Sequence, residues 1–231
     1  MRIVVASEED QAARALVAHW GVNSAALVTP ADLSRPGWRH VVGDPAQAMA
    51  AVDGRVLHAE DIEAVVVRLF AVSDYEIPHM RSEDRQYAAA EMTAFLLAWL
   101  DECRCPVLNR PTAGCLNGPS WSPEQWMLAA ARAGLRTVAM RRRVPPNGPM
   151  PPTLEPDEAV ATVVEDQCLG PIHDDLVDAV FHLAANAGTT LLSVRLTDSS
   201  PTAAFLGASA WPNLADPSIM AALDTYLEAA C

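Results

Sequence analysis

The pattern of apolar and polar residues along the chain predicts alternating strands and helices. Short β-type apolar runs occur at residues 2–6, 24–28, 38–42 and 62–70. Between the first two runs, residues 8–20 form an amphipathic helical pattern with Ala12, Leu16 and Trp20 on one stripe. This alternation of helix and buried strand favours a mostly parallel sheet, because parallel strands need helical crossovers between them.

Capping signals predict two further helices in the middle of the chain. Ser82 and Ser122 are good N-cap residues, and Pro123 suits the first helical position. The predicted elements are a helix from 82 to about 103, a strand at 106–109, a helix from 122 to 134 and a strand at 136–140.

A proline-rich segment divides the sequence. Positions 145–156 contain six prolines, which favour a stiff polyproline-type connector that cannot enter a sheet. We therefore predict an α/β domain at 1–140, a connector at 141–158 and a smaller α+β part at 159–231. The last part should contain strands at 159–164, 189–195 and 202–206, and helices at 173–187 and 217–230.

Charge and hydropathy exclude several classes of protein. The net charge of −13 repels phosphate backbones, so nucleic acid is not an expected partner. No run of about 18 apolar residues occurs, so we expect no membrane span. The N-terminus turns acidic after a few residues and lacks the pattern of a signal peptide, so we expect a cytoplasmic protein.

All 16 basic residues are arginine, so chemistry that requires a lysine Schiff base or a lysine on a phosphate is excluded. The five cysteines are scattered, which favours free thiols over a disulfide framework.

An arginine cluster is the first candidate site. Arg68 and Arg110 lie at the ends of predicted strands, where ligands bind in α/β sheets, and Arg85 lies at the start of a helix. With Asn109, these side chains predict a pocket for a carboxylate or phosphate. The alternative is a set of structural ion pairs with nearby acids such as Glu83, Asp84 and Glu91.

Two other groups are weaker candidates. Cys115 lies in a glycine-containing loop between a strand and a helix, so it is either a nucleophile or an ordinary small buried residue. Asp174, Asp178 and His182 share one face of a predicted helix, so they are either metal ligands or a solvated face.

The order of segments across residues 60–140 resembles the ATP-grasp ligases that mature ribosomally made peptides, such as those that close microviridin rings. The C-terminal strands and helix are similar to the end of the ATP-grasp domain. The resemblance rests on the strand ending at Arg68, the segment 82–87 with Glu91, the strand closing on Asn109 and Pro111, the helix carrying Gln125 and Ala129-Ala130-Ala131, and the stretches at 191–196 and 204–209.

The sequence departs from this family where ATP would bind. The resemblance implies a lysine near the start of the helix at Ser122, a β-rich lid lobe with a second lysine after residue 140, and acidic magnesium ligands on the last strands. The chain has no lysine and has the proline-rich connector in place of the lobe. It carries Gly207 and Ser209 where a glutamate and an asparagine are expected, and Arg195 near the expected aspartate.

The resemblance therefore implies a shortened ATP-grasp-like fold without a functional nucleotide site and without a cofactor. Two hypotheses stay open. One is a binding or accessory protein for a peptide, a small carboxylate or a companion enzyme subunit in peptide or natural-product modification. The other is an enzyme, either a residual carboxylate–amine ligase that uses Arg141–Arg143, or an ATP-independent active site on the same scaffold. In either case we expect a homodimer or a complex with a companion subunit, because loss of the lobe would expose apolar surface.

Overall fold

The computed structural model describes residues 1–138 and 158–230. The strands are β1 Arg2–Ala6, β2 Ala25–Val28, β3 Met49–Val52, β4 Arg55–His58, β5 Ala64–Arg68, β6 Val107–Leu108, β7 Arg136–Thr137, β8 Ala159–Val164, β9 Gln167–Leu169, β10 Leu191–Leu196 and β11 Ala204–Ser209. The helices are α1 Gln11–Trp20, α2 Arg85–Asp101, α3 Pro123–Arg132, α4 Asp174–Ala187 and α5 Pro217–Ala230.

The chain forms two compact units. The first combines Met1–Ser120 with Asn213–Cys231, and the second is Trp121–Pro212. This division differs from the predicted one at 140 and 159. The helix α3 contributes its buried side chains to the core of the second unit, whereas α5 returns to the first unit. The predicted connector at 141–158 lies outside the described residues except for Glu158.

A parallel sheet with the strand order β2-β1-β5-β6 forms the centre of the first unit. Ile3 and Val5 project from one face into a core that includes Leu96 and Trp99 of α2. Because side chains alternate across a strand, Val4 projects to the opposite face. The helix α1 contacts β1 and β2, and its buried residue Leu16 lies outside the α2-side core, so the sheet carries helices on both faces.

The C-terminal helix α5 is attached to the first unit by Asp224. Its carboxylate accepts hydrogen bonds from Arg2 Nη1 at 3.0 Å and from Trp20 Nε1 at 2.6 Å, and it lies 2.8 Å from His19 Nε2. The Arg2 guanidinium also lies over the Trp20 ring, 5.0 Å from its centroid. The apolar side chains of Ile219, Leu223 and Leu227 form a stripe on α5 that is buried.

The second unit is a five-stranded sheet with the order β7-β11-β10-β8-β9. The strand β10 is antiparallel to both β8 and β11, and β7 pairs with β11 in parallel. Helices α3 and α4 supply the apolar core of this unit, together with β10 side chains such as Val194 and Leu196. Residues 138–158 separate β7 from β8 along the chain.

The predicted α/β class is confirmed, and the bounds of β1, β8 and α5 agree with the prediction. Ser122 caps α3 as expected, and its hydroxyl accepts a hydrogen bond from Gln125 N at 3.3 Å. Four features differ. The helix α2 begins after Asp84 and not after Ser82, the run at 38–42 forms only an isolated bridge from Arg39 to Met49, and the pattern did not predict the hairpin β3–β4 or the strand β9.

Within the described ranges, no helix is both long and apolar enough to cross a membrane.

The contacts of Asp224 predict an acid-sensitive attachment of α5. Burial alone would raise the pKa of Asp224, but hydrogen bonds from His19 and Trp20 and the charge of Arg2 outweigh it and lower the pKa below the ordinary value of 3.8. A lowered pKa means that the stabilisation is present at neutral pH and is lost as the pH falls through the folded-state pKa. We expect Asp224→Asn to lower the free energy of unfolding by about 1 kcal/mol at pH 7.

The difference between the Asp224→Asn variant and the unmodified chain should shrink below about pH 4. Urea denaturation at several pH values measures it. Glu91→Gln, an exposed change on α2, is the control and should show no such difference. A constant difference across this pH range would contradict the assignment.

Candidate functional site

The carboxyl edge of the parallel sheet has the topology of a ligand-binding crevice. The strand β1 is flanked by β2 on one side and β5 on the other, so the chain order reverses between β1 and β5. Ligands of open α/β sheets bind outside the strands at such a point. Asp10 lies between β1 and α1, and Arg68 is the last residue of β5, so both side chains belong to this crevice.

Asp10 and Arg68 form a buried ion pair there. Arg68 Nε donates to Asp10 Oδ2 at 2.6 Å, and Nη2 lies 3.4 Å from Oδ1. The two side chains are only 6% and 9% exposed. Asp10 also accepts a hydrogen bond from Ala13 N at 2.9 Å and thereby caps α1. Arg68 therefore forms an ion pair with Asp10, a residue that lies just before α1.

The other two arginines are held by backbone carbonyls. Arg85 Nε donates to Met80 O at 3.0 Å, and its Nη2 donates to Pro78 O at 2.7 Å. Arg110 Nη1 and Nη2 donate to Asp101 O at 3.0 Å and to Cys103 O at 3.1 Å. Arg110 thereby satisfies carbonyls at the C-terminal end of α2, where a positive charge is favourable.

Asn109 and Cys115 lie in a buried polar group beside the same edge. The Cys115 thiol donates to Asn117 Oδ1 at 3.3 Å, and Asn109 Nδ2 donates to Asn117 O at 3.4 Å. All three residues are at most 2% exposed. Burial raises the pKa of the Cys115 thiol. Inaccessibility and a protonated thiol both disfavour Cys115 as a nucleophile.

An open cavity of about 300 Å³ lies at the carboxyl ends of β1 and β2. Its lining includes Glu8, Glu9 and Glu76 and the exposed ring of Tyr75. Such a lining opposes an anionic ligand and suits a positively charged group. Sequence reasoning missed this cavity, although two acids directly after a buried strand were a usable signal.

The second unit has a polar face on its sheet. In the register of β10 and β11, Arg195 is opposite Gly207 and Ser193 is opposite Ser209. Directly opposed residues project to the same face of a sheet, and Val194 projects to the helix-covered face. Arg195 therefore lies on the other face, where its Nη2 donates to Glu158 Oε2 at 2.7 Å.

The candidate metal ligands Asp174, Asp178 and His182 are exposed along α4. Among residues 1–138 and 158–230, no group of three or more His, Cys, Asp or Glu side chains is placed to hold a metal ion. Asp174 lies in the first turn of α4, where a negative charge favours the helix dipole. The exposed face is consistent with the solvated alternative.

A shallow groove of about 570 Å³ lies between α3 and α4 in the same unit. Its lining includes Trp121, Arg132, Asn186 and the half-exposed side chain of Leu128. The rings of Trp121 and Trp126 pack against each other with centroids 4.7 Å apart. Trp121 therefore packs against a side chain of its own unit.

The buried pair predicts a large cost for neutralising Asp10. We expect Asp10→Asn to lower the free energy of unfolding by about 3 kcal/mol, because Arg68 loses the negative charge that offsets its desolvation. Glu8→Gln is the control, since Glu8 meets Arg14 in an exposed pair at 3.5 Å and should contribute less than about 0.5 kcal/mol. Urea denaturation measures both variants.

A double variant, Asp10→Asn with Arg68→Gln, should be less destabilised than the sum of the single changes, because the two side chains interact directly. Strict additivity would contradict an energetically coupled pair.

The fold is similar to several solved ATP-grasp ligases. The macrocyclase MdnC of Microcystis aeruginosa MRC, bound with the precursor peptide MdnA, aligns over 99% of this chain and 100% of its own, with a TM-score of 0.69 and 11% identity. The ligase PsnB, complexed with a minimal precursor, Mg and ADP, aligns over 99% and 97%, with a TM-score of 0.67 and 15% identity.

A third similar structure is a RiPP-associated ATP-grasp ligase of Chryseobacterium gregarium in complex with ADP and a leader and core peptide. It aligns over 100% of this chain and 97% of its own, with a TM-score of 0.61 and 10% identity. No family model and no curated protein matches the sequence. At these identities the likeness concerns the fold, and it agrees with the resemblance carried by residues 60–140. The chain therefore has the fold of the ATP-grasp ligases that act with ribosomally made peptides.

Proposed function

We propose that this chain is a peptide-binding or accessory component of a cytoplasmic peptide-modification or natural-product pathway, and that it works without ATP. The proposal combines the shared fold with the chemistry of the residues that stand where ATP-grasp ligases hold nucleotide and magnesium.

The proposed loss of ATP chemistry rests on one observation. Arg195 on β10 and Gly207 on β11 are directly opposite each other in the sheet. The resemblance places two magnesium-binding acids at or near these positions, and the register sets the two residues opposite each other on one sheet face. Magnesium requires oxygen ligands, and glycine has no side chain that could supply one. Arg195 also supplies no oxygen ligand where an aspartate is expected, because its guanidinium carries only hydrogen-bond donors, and it is bonded to Glu158.

The absence of lysine from the whole sequence supports the same proposal. Phosphoryl transfer depends on cations that neutralise the charge of the transferring group. The arginines that would have to replace the lysines, Arg141–Arg143, lie outside the described residues. A residual ligase therefore stays the alternative, and measurable ATP affinity would support it.

The peptide part of the proposal rests on the neighbours of the same fold. MdnC is bound with a precursor peptide, and PsnB is complexed with a minimal precursor. We propose that this chain also binds a peptide or a small carboxylate. A carboxylate site at Arg68, Arg85, Arg110 and Asn109 stays a proposal. Its ligand would compete with Asp10 for Arg68 and with backbone carbonyls for the other two arginines.

The decisive measurement compares peptide and nucleotide binding. Isothermal titration with ATP and magnesium should show no affinity tighter than about millimolar, which corresponds to about −4 kcal/mol. Fluorescence anisotropy with a labelled short peptide encoded beside the gene should show binding, and ATP with magnesium should leave that affinity unchanged.

A scrambled peptide controls for non-specific association, and a working ligase of the same fold controls for the nucleotide preparation. Micromolar ATP binding, or peptide affinity that rises with ATP and magnesium, would contradict the lost nucleotide site. Failure to bind the unscrambled peptide would contradict the peptide-binding role independently of the ATP result.

We also propose that the working form contains a second copy of the chain or a companion enzyme subunit. The buried stripe of α5 cannot supply this contact, whereas Phe70, Tyr87 and Leu128 are exposed apolar side chains. Light scattering at micromolar concentration should give twice the chain mass. A monomer that also fails to co-purify with any protein encoded beside its gene would defeat this prediction.

A further inference from the structure

The cavity at the carboxyl ends of β1 and β2, which we call the acidic cavity, has walls from three separate segments. Residues 7–9 follow β1, residues 29–31 follow β2, and Tyr75, Glu76 and Pro78 come from the stretch after β5. The three strands are neighbours in the sheet, and the chain order reverses between β1 and β5. A concave surface at this place is where open α/β sheets bind small ligands.

Two contacts hold one wall of the acidic cavity in place. Arg85 Nη2 donates to the carbonyl of Pro78 at 2.7 Å. The Nε2 atom of the next residue, His79, lies 2.8 Å from Ser34 Oγ, and this contact joins the Pro78 wall to the segment Pro30–Ser34. The cavity is therefore formed before a ligand arrives, which lowers the cost of ordering the walls on binding.

The acidic side chains of the cavity keep their charge available to a ligand. Glu8 meets Arg14 only in an exposed pair at 3.5 Å. Glu76 Oε2 accepts a hydrogen bond from Ser73 N at 3.0 Å, a contact that adds no positive charge. In the part of the chain that the structure describes, no basic side chain lies within ion-pair distance of Glu9 or Glu76. The cavity therefore has a negative potential that attracts a cation.

The rest of the lining selects the kind of cation. No group of three or more His, Cys, Asp or Glu among the described residues is placed to hold a metal ion, so the lining favours an organic cation. The Tyr75 side chain is exposed at the cavity, and a cation binds favourably over such a ring. Pro30, Ala31 and Pro78 add carbon surface, against which an aliphatic stem can pack. A volume of about 300 Å³ is at the low end for ligand cavities and suits one long side chain.

We propose that the acidic cavity binds an arginine side chain of the peptide that this chain recognises. The inference rests on the peptide-binding role proposed above and specifies a basic residue in the partner. The guanidinium is planar, so it can stack on the Tyr75 ring while it donates hydrogen bonds to carboxylates of the lining. Its methylene stem packs against Pro30 and Pro78. Lysine binds less tightly, because its ammonium group does not stack and does not match a carboxylate with two parallel donors.

The test is an NMR titration of the isotope-labelled full chain with N-acetyl-arginine N-methylamide, which is arginine blocked at both ends. We expect a dissociation constant of about 1 mM, because a single side chain makes few contacts. The amide signals of residues 7–9 and 75–76 should shift most. Blocked citrulline, which has nearly the same shape but no charge, should bind about tenfold more weakly. Blocked lysine should lie between the two.

Two variants locate the ligand in the cavity. Glu9→Gln should weaken the binding of blocked arginine about twofold to fivefold, because it removes one carboxylate from the lining. Tyr75→Leu should weaken it by a similar factor, because the cation loses an aromatic face and keeps an apolar one. Glu60→Gln is the matched control. Glu60 is an exposed acid that precedes β5 and thus lies at the opposite edge of the sheet, so its neutralisation should leave the affinity unchanged. The NMR spectrum of each variant verifies that it is folded.

Three results would overturn the proposal. Blocked citrulline could bind as tightly as blocked arginine, Glu60→Gln could weaken binding as much as Glu9→Gln, or the largest shifts could lie away from the cavity. An absence of shifts up to about 20 mM blocked arginine would overturn it as well.

The titration uses blocked arginine and not the peptide encoded beside the gene, so its failure is distinguishable from failure of the proposed function. If that peptide binds and blocked arginine does not, only the arginine site is wrong. If blocked arginine binds in the cavity and the peptide does not bind, the peptide-binding role is wrong and the cavity keeps its preference for a guanidinium.

Discussion

The Asp10–Arg68 ion pair is the interaction on which the first unit is organised. It joins the start of α1 to the end of the central strand β5 at the point where the chain order of the sheet reverses. The Asp10 carboxylate caps α1 with Oδ1 and binds the Arg68 guanidinium mainly with Oδ2. The start of α1 and the end of β5 therefore depend on the same side chain. In other α/β proteins a ligand often occupies this position. Here the Asp10–Arg68 pair occupies this position, and the lining of the adjacent cavity is acidic.

Much of the fold could be predicted from sequence, because its signals are local. The valine-rich runs gave β1 and β5, and the Ser122-Pro123 pair gave the start of α3. The hairpin β3–β4 was not predicted, because its strands are short and its turn depends on Asp53 and Gly54 at positive φ. The start of α2 was misplaced because Ser82 and Asp84 are both acceptable caps and only tertiary packing chooses between them.

The candidate site was less predictable, since it depends on pairs that are distant in sequence. The apolar pattern correctly predicted Arg68 at the end of a strand. It could not show that Asp10, 58 residues away in the sequence, neutralises the Arg68 charge. The same limit applies to Arg195, whose partner Glu158 and neighbour Gly207 come from different strands or loops. Helix and strand periodicity specifies which face a residue occupies, whereas the charge opposite it is set by topology.

The return of α5 to the first unit has a consequence for how the protein folds. Trp121–Pro212 is in effect an insertion within another unit, and the contacts from Asp224 to Arg2, His19 and Trp20 close a loop that contains nearly the whole chain. During synthesis, Arg2, His19 and Trp20 are therefore made more than 200 residues before their partner Asp224. Buried α5 side chains such as Ile219 and Leu223 reach their places in the first unit only after the second unit has been made, so the surface that they contact stays exposed until then.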